Sequence, residues 1–229
     1  MSRSTELADI LNTLSAEADP AACRSMEEQY GIHSEQSYGV PMRRLLQMGK
    51  DAGTDHELAL ELWAQGSYEA QTLAALIDDP KQVTAHQMER WSDDFENWAI
   101  VDTVCFRLFD KADDAWIMVH RWVDDERLYV KRAGFALLWA LALHDRATPD
   151  TSFTDALVPA RQHADDTRPL VGKSITMALR AIAITMALRA IATKRPVARD
   201  EVVALAQRLS DSSDPAERRV GRPIVRAVG

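Results

Sequence analysis

Apolar residues recur at helical spacing in segment after segment of this 229-residue chain, and strand-like alternation is absent. β-Branched residues are sparse beside Ala, Leu, Glu, Gln and Arg. That pattern predicts helices over residues 5–18, 21–30, 42–52, 55–65, 68–77, 81–91 and 97–111. It predicts further helices over 114–123, 127–144, 152–163, 170–194, 200–209 and 215–225. The breaks carry stop and start chemistry. Asp78-Asp79-Pro80, Thr148-Pro149-Asp150 and Asp211 to Pro215 each place capping residues and a proline between helices. Many short helices with no sheet leave a compact bundle or an α-solenoid of stacked helix pairs. The near-regular spacing favours the solenoid, read as one all-α repeat domain over residues 1–229.

One repeat is of a different kind. The nine residues Ile175 to Ala183 recur unchanged as Ile184 to Ala192. Nine residues make about two and a half helical turns. A helix running through both copies would therefore present the second one rotated by half a turn. The expectation is a long helix over both copies, straight or kinked, apolar all round and covered on both sides; the alternative is that one copy loops out.

Charge is unevenly spread. Residues 1–158 hold 14 Lys and Arg against 28 Asp and Glu, and residues 159–229 hold 13 against 7. An acidic body with a basic last third points to a polyanionic partner; random segregation of solvated charge is the plainer alternative. The two cysteines, Cys23 and Cys105, do not suggest a disulfide framework. No N-terminal stretch has the make-up of a signal peptide. The longest apolar run, Ala133 to Leu143, is too short to span a bilayer. A cytoplasmic protein with no membrane partner is expected, and the lack of a heptad seam points to a monomer.

The segment Glu96 to Phe106 places one carboxylate, Asp102, in an otherwise apolar stretch, four residues after Trp98. On a helix the two share a face. A carboxylate there costs free energy unless it is paired, hydrogen-bonded or open to a wet cleft. An indole beside an acid suits a site for something cationic. The alternatives are a Trp98 that only fills core, and an Asp102 paired with a buried arginine such as Arg132. Trp63, Trp91, Trp116, Trp122 and Trp139 read as packing residues.

Five segments in order carry a resemblance: Tyr38 to Leu45; Leu62-Trp63 with Tyr68 to Ala74; Asn97-Trp98 with Asp102; Lys131-Arg132-Ala133; and Lys173 to Arg180. Together they resemble the DNA alkylation-repair glycosylases built from HEAT-like helical repeats, over roughly residues 35–195. The resemblance implies a superhelix of helix pairs whose concave face cradles duplex DNA. It implies excision of cationic N3- or N7-alkylated purines without metal or cofactor, and without flipping the lesion into a pocket. By that resemblance Asp102 is the catalytic carboxylate and Trp98 packs against the backbone around the lesion. Arg132 matches a phosphate-gripping arginine, with Arg43 and Arg44 as further contacts. The family pattern has a tryptophan where this chain has Met177, and the second copy offers Met186. Methionine gives a much weaker cation–π face, so the third wall of the aromatic cleft is missing. A catalytically silent scaffold that binds DNA, RNA or protein is the alternative reading. No HExxH, phosphate loop or GxSxG elbow is present, so metal and acyl-transfer chemistry are not expected.

Overall fold

A computed structural model of the protein describes the backbone of residues 3–193 and 199–228. Among these residues every regular element is helical. The chain divides into two compact units, residues 1–114 and 115–229.

The first unit contains α1 (Arg3–Ala16), α2 (Pro20–Tyr30), α3 (Met42–Ala52), α4 (His56–Trp63), α5 (Tyr68–Ile77), α6 (Ala85–Asp93) and α7 (Trp98–Arg107). Short polar residues start five of these helices. Asp19, Asp55, Ser67, Thr84 and Asn97 each accept hydrogen bonds from first-turn amides that lack a partner within the helix. The Asp78-Asp79-Pro80 break ends α5 as expected, but α6 begins later than residue 81. Asp79 instead turns the chain by accepting from the Lys81 amide, and Thr84 caps the helix. The expected helix to residue 111 ends at Arg107, and Phe109–Lys111 forms a short 3₁₀ turn. Helix α5 is buried along almost its whole length and packs against α3, α4 and α7. Behind it the Trp63 and Trp91 rings of α4 and α6 stack 3.9 Å apart.

The second unit contains α8 (Ala115–Trp122), α9 (Leu128–His144), α10 (Asp150–Asp155), α11 (Leu157–Gln162), α12 (Pro169–Thr193), α13 (Arg199–Asp211) and α14 (Pro215–Val228). The expected helix over 152–163 is two short ones. Pro159 has no N–H to bond the Asp155 carbonyl, so the chain breaks at Ala156. Helix α12 packs between α9 and the α13–α14 pair. It runs without a break through both copies of the nine-residue repeat; the expected end at Lys194 lies outside the described residues.

The half-turn rotation is visible in paired positions. Ile175 has no exposed surface and its copy Ile184 is 45% exposed, whereas Met177 is half-buried and its copy Met186 is buried. Full cover on both sides is therefore not reached at Ile184. Residues 169–186 would suffice for a membrane span by length and composition, but 61% of that stretch is buried, as in the core helix of a folded unit.

Candidate active site

Helix α7 owes its position to its own sequence. Asn97 is buried and its side-chain oxygen accepts from the Ala99 and Ile100 amides at 3.1 and 2.9 Å. Ala99, Ile100, Val101, Val104 and Cys105 are buried and hold the helix in the unit. Trp98, Asp102 and Phe106, spaced by four, form a half-exposed row along it. The expected juxtaposition of Trp98 and Asp102 is thus present. The Trp98 indole N–H donates to the Tyr30 carbonyl at 3.0 Å, which fixes the ring against the end of α2.

The loop from α2 to α3 is held by two carboxylates. Glu69 on α5 has no exposed surface, and its oxygens accept from the Tyr38, Gly39 and Val40 amides and the Ser37 hydroxyl at 2.7 to 3.2 Å. Three backbone N–H groups converging on one carboxylate repay its burial. Gly39 has φ +77°, and an added Cβ there would run into the Asp19 carbonyl. Nearer α7, Glu96 accepts from the Ser34 hydroxyl and the Glu35 amide. The quoted segments Tyr38 to Pro41 and Tyr68 to Gln71 are thus two halves of one structural device. Sequence reasoning missed Glu69; its signal was a lone carboxylate in the apolar run of α5.

This loop delivers α3, whose first turn carries Arg43 and Arg44. Arg43 is exposed. Arg44 is not a free phosphate fork, because its guanidinium donates to both oxygens of Glu17 at 2.8 to 3.0 Å. That hydrogen bond holds the Glu17 carboxyl below its ordinary range.

In the second unit, Arg132 on α9 is fully buried and donates to the Leu170 carbonyl at 2.8 Å. It ties α9 to the start of α12. A buried guanidinium offers no face to a phosphate, so the expected direct backbone contact is corrected to a bracing role. Next to it Lys131 is almost fully buried, with its ammonium 3.5 Å from His163 Nδ1 and 3.9 Å from Asp166. His163 Nε2 in turn meets Asp124 at 2.7 Å. The Arg168 guanidinium, hydrogen-bonded to Asp166, holds that carboxyl below its ordinary range despite partial burial. This polar network was also missed; its trace in the sequence is the Lys131-Arg132 pair inside an apolar helix.

Met177 lies on the solvent-side row of α12, with Lys173 four residues before it and Arg180 three after. It is a polarisable side chain flanked by two cations. Among the described residues, no three His, Cys, Asp or Glu side chains are placed to hold a metal ion.

Against known proteins, the sequence matches the DNA alkylation repair enzyme family over residues 10–192. An uncharacterised protein of Listeria innocua is 30% identical over 84 residues, covering 36% of this chain and 38% of that one. The match thus spans well under half of that relative. A solved structure aligns with a TM-score of 0.75 and 19% identity, over 96% of this chain and 94% of the other. That protein represents a family related to the HEAT-like repeat DNA glycosylases, with affinity for branched DNA structures. The likeness shows a HEAT-like helical-repeat fold.

Proposed function

The chain belongs to the DNA alkylation repair enzyme family, and from that premise we propose that it binds duplex DNA and excises cationic N3- and N7-alkylated purines. The observation that carries this reading is the half-exposed Trp98–Asp102 row on α7, whose buried residues Ala99, Ile100, Val101, Val104 and Cys105 hold the helix in the unit. In the proposed reaction the bond between C1′ and the base nitrogen breaks, and its electron pair neutralises the positive charge of the base. The sugar takes up that positive charge. The Asp102 carboxylate stabilises it electrostatically and orients a water for attack on C1′. The water's proton passes to the carboxylate and on to solvent. Trp98, its ring fixed through Tyr30, supplies an aromatic wall for the cationic purine and its sugar. Arg43 contacts the phosphate backbone, Arg44 joins it by exchanging Glu17 for phosphate, and Arg132 acts by bracing α9.

Incubation with N7-methylated duplex DNA and chromatography of the freed bases tests the reading. Release of 7-methylguanine above the spontaneous rate supports it, and release at the spontaneous rate opposes it.

One observation favours a second reading, a DNA-binding protein without base excision: Met177 stands where the family's aromatic wall is expected. On that reading the protein shares the affinity for branched DNA described for its structural relative. A four-way junction bound more tightly than a linear duplex, with no base release, would favour it.

A further inference from the structure

We propose that the exposed arginine face of α14 grips the phosphate backbone of duplex DNA. This rests on the DNA-binding half of the reading above and not on base excision. Arg218, Arg219, Arg222 and Arg226 fall within an arc of about 100° on the helix. Ala216, Val220, Gly221 and Ile224 are buried on the other side. The helix cannot roll to hide the arginines. An added Cβ on Gly221 would meet the Ser210 amide nitrogen and lie 2.7 Å from the Ala206 carbonyl, so the α14 and α13 backbones are in direct contact.

The stripe is uncompensated. Arg218 spends one nitrogen on the Ser212 and Ser213 carbonyls at 2.8 and 2.6 Å. Arg219, Arg222 and Arg226 are exposed, and among the described residues none of them has a carboxylate partner. Like charges three and four residues apart on a helix repel, which costs stability until a polyanion arrives. The cations are all arginines, whose planar fork matches phosphate with two parallel hydrogen bonds. Arg219 and Arg226 are about 10 Å apart along the axis, a reach of about three phosphates at the rise of one DNA strand. The arginines and Pro215 and Pro223 border an open groove of about 390 Å³, with room for phosphodiesters. The stripe also supplies what Arg132, being buried, does not.

The test is fluorescence anisotropy of an undamaged duplex over a series of KCl concentrations, comparing wild type with Arg219→Gln/Arg222→Gln/Arg226→Gln and with the triple Lys variant. Each neutralised phosphate contributes about 0.9 to the slope of log K against log salt, so the Gln variant should lose about 2–3 from that slope. The Lys variant should keep most of the slope. Unchanged affinity and slope in the Gln variant would overturn the proposal, as would absence of duplex binding by the wild type. So would a loss confined to duplex RNA, or to self-association seen by light scattering, with DNA binding intact. Base release from methylated duplex, measured at low salt on the same samples, separates the two claims. A wild type that binds through the stripe yet releases no base refutes excision alone.

Discussion

Glu69 shows how a single buried charge organises the approach to the candidate site. It is enclosed, yet three amides and a hydroxyl satisfy it, and the loop it holds sets the start of α3. Glu69→Gln replaces one acceptor with a donor facing those amides. It should cost about 2–4 kcal/mol, measurable by urea unfolding, from unsatisfied buried groups. The Trp98–Asp102 pairing was legible because i,i+4 geometry is local. The engagement of Arg44 was not, and the burial of Arg132 stood only as an alternative to a phosphate contact. Nothing near Arg132 in sequence announces that its partner is the Leu170 carbonyl, nor near Arg44 that Glu17 occupies it. Met177 sets a further expectation. Met177→Trp should raise base release several-fold, in keeping with about 0.5–2 kcal/mol for a cation–π wall. A single-turnover assay that finds no gain, with the variant folded, would show that the position takes no part in base release.

At the scale of the helix, periodicity and caps located most elements, because both are written in short stretches. Boundaries failed where local chemistry overrode the periodicity: Asp79 took up the Lys81 amide before α6, and Pro159 in α11 has no N–H to carry the helix through Ala156. The duplication in α12 offers an internal control, since one residue type sits in two environments. Ile175→Ala should cost about 2–5 kcal/mol through the cavity it leaves. Ile184→Ala should stay within about 0.5 kcal/mol, as an exposed change does. Equal costs in chemical denaturation would mean that the second copy is not rotated as described.

For the molecule as a whole, the charge totals concealed what matters. A net −8 argues against nucleic acid, whereas the arginines of α14 are concentrated on one fixed face. Acid stability follows from the same accounting of individual partners. Asp125 and Asp166 lie below the ordinary carboxylate range, first because Arg127 and Arg168 hydrogen-bond to them. Their stabilisation is complete above that range and is lost as pH falls through their lowered values. Asp166→Asn should therefore reduce stability at neutral pH and flatten its fall in acid, read from urea midpoints across pH. An unchanged acid slope would show that the pair contributes nothing. The membership in a DNA alkylation repair family and the fold both stand apart from the proposed excision, which is assigned to one carboxylate. The most direct measurement is the single-turnover rate of 7-methylguanine release by saturating protein, wild type against Asp102→Asn, with duplex affinity measured in parallel. A rate well above the spontaneous one, lost in the variant while affinity is kept, is the predicted result. Release that persists in Asp102→Asn, or a wild-type rate no faster than the spontaneous one, would contradict it.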